Sequence, residues 1–198
     1  MSFVLGLTGG IATGKTTAMK VFKNAGFPIV DSDKIAREVV EPGSSGLSAV
    51  VSAFGESIKN NDGSLNRKKL GTLIFSDHEK RALLNQTMAP FLEKSIVGKI
   101  NELKKSYPLV IADIPLLYEN GYEEFVDKTA VVYIPEAKQI KRLMARDSLS
   151  VEEALQRVNS QWSIEEKKEK ADIVFDNQGT IEDLERQISE WLEKEGFI

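Results

Sequence analysis

Residues 9–16, Gly-Gly-Ile-Ala-Thr-Gly-Lys-Thr, constrain this chain more than any other stretch. They match G-x-x-x-x-G-K-[ST] at every fixed position. Such a segment must turn so that successive N–H groups face one point. Gly9 and Gly14 read as the positions whose torsions a Cβ would forbid. A concave row of amides of this kind holds the phosphates of a nucleoside triphosphate. Lys15 reaches the β- and γ-phosphates, and the Thr16 hydroxyl is a ligand for Mg²⁺. The apolar run Phe3–Leu7 precedes the loop, and Thr17, Ala18, Met19, Val21 and Phe22 follow it with helical spacing. The positive end of that helix is therefore aimed at the same point. Gly10, Ile11, Ala12, Thr13, Gly14, Lys15, Thr16 and Thr17 are the nucleotide-binding candidates.

A loop of this kind needs a strand before it and a helix after it, and the remaining pattern agrees. Pro28–Val30, Leu109–Asp113, Thr129–Ile134 and Asp172–Phe175 are short apolar runs rich in β-branched residues, separated by amphipathic segments. With Phe3–Leu7 they predict a three-layer α/β/α P-loop NTPase domain with a five-stranded parallel sheet buried on both faces. The gap between the second and third runs exceeds one crossover helix, so residues 42–106 are expected to form a helical insertion. Within it, Leu47–Phe54 should close on Gly55. Ser76 with Glu79 has capping-box spacing, and that helix should stop or kink at Pro90 before another amphipathic run to about Lys105. Ser150/Glu153 and Ser163/Glu166 are further capping boxes. Thr180 opens a last helix that Gly196 ends.

Composition removes several classes of function. In 198 residues there are 26 Lys+Arg against 30 Asp+Glu, a net charge of −4, which argues against a general nucleic-acid binder. There is no cysteine, so disulfides, thiolate nucleophiles and Cys-bound metals are out. The single histidine, His78, sits among charged residues and reads as exposed and inert. The opening residues carry no basic n-region, and no stretch approaches a membrane span, so the expected compartment is the cytoplasm.

Asp31-Ser32-Asp33 follows the second strand, where two carboxylates two residues apart can face one cleft beyond the strand ends. Either can accept a hydroxyl proton or hold a metal's water shell; the alternative is capping of a helix from Lys34 to Val40. Asp113 ends the third strand, the placement of a carboxylate that reaches Mg²⁺. Lys138, Arg142 and Arg146 lie four apart on one helical stripe, with Ile140, Leu143 and Met144 on the other face. With Arg157, this stripe is either a solvated face or a lid over phosphates, placed at residues 137–170. Glu165–Lys170 reads as a solvated helix face with i,i+4 pairs. Arg67, Lys68 and Lys69 read as surface charge, and Trp162 and Trp191 as packing residues.

The chain resembles the dephospho-CoA kinase family, within the P-loop nucleotide-kinase group, nearly end to end. The resemblance rests on residues 6–16, Val-Asp-Ser-Asp-Lys-Ile-Ala-Arg at 30–37, and Asp-Ile-Pro-Leu-Leu-Tyr-Glu at 113–119. It continues through Gln139, Arg142, Arg146 and Asp147, then Arg157-x-x-x-Gln161 and Ala-Asp-Ile-Val-Phe-Asp-Asn at 171–177. It implies ATP-dependent phosphorylation of the ribose 3′-hydroxyl of dephospho-CoA, the last step of coenzyme A synthesis, with Mg²⁺. By the same resemblance Asp33 is the general base, Arg142 the lid arginine, and Lys15 and Arg142 act with Asp33 in catalysis. Thr16 and Asp113 serve the metal, and Asn177 lies beside the adenine. The Pro115–Glu119 block, with Leu117 and Glu119, walls the acceptor together with the insertion. Two positions depart from the family pattern. Ala89-Pro90 stands where His-Pro is usual, and Tyr118 where Phe is usual. The expected partner is the small-molecule acceptor, with no nucleic acid or membrane, on a monomer or weak homo-oligomer. The alternatives are a nucleoside or nucleotide monophosphate kinase, built from the same parts, and a GTPase switch. The latter normally carries N-K-x-D where this chain has Asp176-Asn177-Gln178-Gly179.

Overall fold

The five apolar runs all form strands and join one parallel sheet, in the order β2-β3-β1-β4-β5. The computed structural model describes residues 2–75 and 77–198. The strands are β1 (Phe3–Gly9), β2 (Ile29–Asp31), β3 (Leu109–Asp113), β4 (Lys128–Tyr133) and β5 (Ile173–Asp176). The helices are α1 (Lys15–Asn24), α2 (Ser32–Glu38), α3 (Ser45–Phe54), α4 (Arg67–Phe75), α5 (His78–Leu103), α6 (Glu136–Asp147), α7 (Val151–Val158), α8 (Ile164–Lys170) and α9 (Ile181–Lys194).

The chain divides into two compact units, Met1–Asp31 with Ile100–Ile198, and Ser32–Lys99. The first holds the sheet. Alternate residues Leu5 and Leu7 of β1, Leu109 and Ile111 of β3, Ala130 and Val132 of β4 and Phe175 of β5 pack with Ala18 and Phe22 of α1 and Leu184, Ile188 and Trp191 of α9. Each such side chain, fully buried, contributes about 1.5–3 kcal/mol. The intervening residues face the other way, where Val131 and Tyr133 meet Ile164 of α8. Covered on both faces, β3 is buried along its whole length.

The second unit has its own core of Val40, Leu47, Val50, Ile58, Leu70 and Leu84. Ser44 Oγ accepts from Leu47 N at 3.1 Å and starts α3, which ends at Gly55 with φ 86°. One expectation lies beyond reach and one changes here. The box between Ser76 and Glu79 lies outside the described residues; Asp77 Oδ1 accepts from Lys80 N at 3.0 Å in the first turn of α5. The stop expected at Pro90 is absent, for α5 continues through it. Proline removes one backbone donor, and the helical turns on both sides carry the segment across that gap. The later caps form as the spacing predicts. Ser150/Glu153, Ser163/Glu166 and Thr180/Asp183 each make both reciprocal bonds. No helix among the described residues is long and apolar enough to cross a membrane.

Candidate active site

At the carboxyl end of β1, the backbone turns through residues 9–16 and enters α1 at Lys15. Gly14 has φ 99°, a left-handed conformation. A Cβ there would also run into the Asn177 side chain. Gly9 differs from expectation, because its requirement is space and not torsion. A Cβ would lie 2.7 Å from Thr13 Oγ1 and 3.1 Å from Val132 O. The second left-handed residue of the loop is Ala12, with φ 61°. A side chain in that region costs about 1–2 kcal/mol, so the loop needs outside support.

Two sets of bonds from outside supply it, beside one set within the loop. Thr13 N and Oγ1 both donate to Gly10 O, at 3.3 and 2.9 Å. Asn177 Nδ2 donates to Thr13 O at 2.7 Å. Ile11 N donates to Gln161 Oε1 at 3.1 Å. Gly14→Ala should therefore put about 1–3 kcal/mol of strain into the loop. Nucleotide affinity is expected to drop roughly 10–100-fold by calorimetry, with an unchanged far-ultraviolet circular dichroism spectrum.

Lys15 forms an ion pair with Asp113, which is almost fully buried at the end of β3. Asp113 stands in register with Leu7 of β1 and Asp31 of β2, so strand pairing sets both aspartates at the same sheet level. The Thr16 side chain is exposed in the first turn of α1, and Thr17 N bonds Gly14 O at 2.9 Å. Thr16 and Asp31 also line a cavity of about 420 Å³ with Lys20, Lys23, Phe27 and Ile29. Asp33 is the second residue of α2, in the other compact unit, and is exposed.

The basic stripe of α6 separates into two pairs. Arg142 Nη2 donates to Asn177 O at 3.0 Å, and Lys138 Nζ approaches Gln178 O at 3.4 Å, so both reach the segment after β5. Arg146 and Arg157 instead converge on Asp147, at 2.8 and 2.9 Å. They hold its carboxyl below the ordinary aspartate value, the hydrogen bond from Arg146 first. On the opposite face Leu143 is buried and Ile140 and Met144 partly so, but the buried polar residue there is Gln139, against Gly10.

The Pro115–Glu119 block departs most from expectation. Leu117 is fully buried, its side chain packed against Gly6. Glu119 Oε1 takes Lys167 Nζ at 2.8 Å and Trp162 N at 3.0 Å. That oxygen is spent on the fold, and Oε2 is buried as well. Lys167 is fully buried, so it leaves the solvated face that exposed Glu165, Glu166, Glu169 and Lys170 form on α8. Burial pushes its ammonium below the ordinary lysine value; Glu119 opposes that shift and the charge of Lys15 adds to it. Lys168 and Lys170 also turn to outside partners, the Tyr133 ring at 4.1 Å and Glu123. The signal for Lys167 was available in the sequence. Ile164, Lys167 and Ala171 fall at i, i+3 and i+7, an inward stripe with one lysine in it.

Trp191 is a core residue, whereas Trp162 is half-exposed and stacks on Tyr118 at 6.2 Å. The Tyr118 hydroxyl donates to Thr129 Oγ1 at 2.9 Å, so the phenol oxygen has a partner inside the fold. Burial raises the phenol above its ordinary value. Tyr118→Phe should lose that bond, about 1 kcal/mol, and lower the melting temperature by about 2–4 °C in a calorimetric scan.

Residues 3–183 match the family model described as dephospho-CoA kinase. The chain is 58% identical over 195 residues to a dephospho-CoA kinase of Enterococcus faecalis, covering 98% of each. It is similar to a solved protein of Thermus thermophilus, with TM-score 0.81, 33% identity and coverage of 98% and 97%. A solved dephospho-CoA kinase of Campylobacter jejuni gives TM-score 0.77 and 29% identity over the full length of both chains.

Proposed function

Because this chain belongs to the dephospho-CoA kinase family, we infer that its phosphate loop and Asp33 serve one reaction. That reaction is ATP-dependent phosphorylation of the ribose 3′-hydroxyl of dephospho-CoA, the last step of coenzyme A synthesis. The observation that carries the reading is the loop itself. Left-handed torsions at Ala12 and Gly14 turn it into the first residue of α1, and Lys15 stands at that start. This is the form an amide cradle for a triphosphate must take. Membership of the family selects this reaction over a nucleoside kinase or a GTPase switch.

In this reading Lys15 exchanges Asp113 for the β- and γ-phosphates. Arg142, on α6, adds positive charge to the transferring group. Asp33 orients the 3′-hydroxyl and takes its proton as the oxygen attacks in line, with no phospho-enzyme intermediate. Thr16 and Asp113 are hard oxygen donors of the kind Mg²⁺ takes in ones and twos alongside phosphate oxygens and water. The ion, when bound, neutralises charge on the β- and γ-oxygens. Residues 137–170 cover the phosphates as a lid that excludes water and suppresses idle hydrolysis. As a biosynthetic enzyme it would work in the cytoplasm.

The test is an acceptor panel. With ATP and Mg²⁺, dephospho-CoA should exceed every nucleoside and nucleoside monophosphate in kcat/KM. A monophosphate preferred over dephospho-CoA would refute the assignment.

A further inference from the structure

Ala12 is a strained residue with a bond from a distant carboxamide on each side of it. Asn177 Nδ2 holds the carbonyl of Thr13, and Gln161 Oε1 holds the N–H of Ile11. Asn177 follows β5, whereas Gln161 lies in the connection between α7 and α8. That connection is itself anchored, since Trp162 N donates to Glu119 Oε1 at 3.0 Å. Glu119 pairs with buried Lys167, and Lys167 Nζ donates to Pro115 O at 2.9 Å. Thr8 Oγ1 donates to the same oxygen at 3.0 Å. The hydrogen bonds and the intervening backbone therefore close a circuit. It runs from the end of β1 through the loop, the α7–α8 connection, Glu119 and Lys167, and back to β1.

We propose that Gln161 is a positioning residue for nucleotide binding, which presets the phosphate loop by fixing the Ile11 amide beside Ala12. The proposal rests on the nucleotide-cradle reading of the loop. Without Gln161, Ile11 loses the acceptor that fixes it, and Ala12 can relax out of its left-handed conformation. Part of the binding energy of the phosphates would then go into re-forming the loop. The circuit explains how a side chain in a loop can be rigid enough for this. Gln161 is followed directly by a backbone amide tied to Glu119, the partner of fully buried Lys167.

The experiment is calorimetric titration of the full chain with a non-hydrolysable ATP analogue and Mg²⁺, without acceptor. It is run at a salt concentration of about 1 M, which screens added charge. It compares the parent with Gln161→Met, which keeps length but has no acceptor oxygen, and Gln161→Glu, which keeps acceptor oxygens. Loss of one hydrogen bond predicts binding roughly 3–10-fold weaker for Gln161→Met, with Gln161→Glu between it and the parent. In turnover the same order should appear in KM for ATP, while KM for dephospho-CoA stays at the parent value. Parent-like affinity in Gln161→Met would overturn the proposal. So would Gln161→Glu binding no better than Gln161→Met, since a merely structural loss is not rescued by an acceptor oxygen. If the parent binds nucleotide but makes no coenzyme A, the acceptor assignment fails and the calorimetric order still decides Gln161.

Discussion

Asp33→Asn is expected to lower turnover about 10²–10⁴-fold, the usual contribution of a positioned general base, while MgATP affinity by calorimetry hardly changes. The substitution preserves the size of the side chain and one carbonyl-type acceptor. It removes only the capacity to take a proton. Asp33 suits the test because it is exposed in the first turn of α2. Asp31 is the natural comparison. It is half-buried at the end of β2, in register with Asp113, and lines the cavity with Thr16, Lys20 and Lys23. Asp31→Asn should change metal and nucleotide dependence more than the proton step. Near-parent turnover in Asp33→Asn would remove that residue from the base role.

Lys167→Met should destabilise the protein by about 3–5 kcal/mol, because it leaves the Glu119 carboxylate buried without its cation. At about 2–4 °C per kcal/mol, the melting temperature drops by roughly 6–20 °C. The double variant Glu119→Gln with Lys167→Met should recover much of that loss. A buried pair often adds little over well-packed neutral groups, and the large cost comes from orphaning one partner. The depressed lysine value fixes the sign of the pH dependence. Burial makes the folded state bind this proton less tightly than the unfolded chain does. Lys167 therefore adds a stability increment that grows as pH rises through the folded value toward the ordinary lysine value. That alkaline increment should vanish in Lys167→Met. A single variant melting with the parent would mean that Glu119 is not confined as described.

The parts of the molecule that were legible in the sequence are those governed by local rules. Residues 9–16 announce themselves because torsion, amide direction and helix start are decided within eight positions. The strands emerge because a sheet covered on both faces demands continuous apolar runs, and the capping boxes because their two bonds span three residues. What escaped depends on partners far along the chain. The inward spacing of Lys167 with Ile164 and Ala171 is local, but its partner Glu119 is named only once the fold brings the two together. Leu117 carries no local mark of burial until its side chain is found packed against Gly6. Gln161 meets Ile11 across 150 positions, which no periodicity encodes. At Pro90 the local rule offered a stop or a kink, and the stop is absent because the helix continues on either side.

The most direct test of the account combines stoichiometry with product position. Purified protein is incubated with ATP, Mg²⁺ and dephospho-CoA, ADP and coenzyme A are counted, and the new phosphate is located by ³¹P nuclear magnetic resonance. The account predicts one ADP per coenzyme A, a phosphate monoester on the ribose 3′-oxygen, and little ADP when the acceptor is omitted. ADP formed at the same rate without acceptor, or a phosphate on any other oxygen, would contradict it.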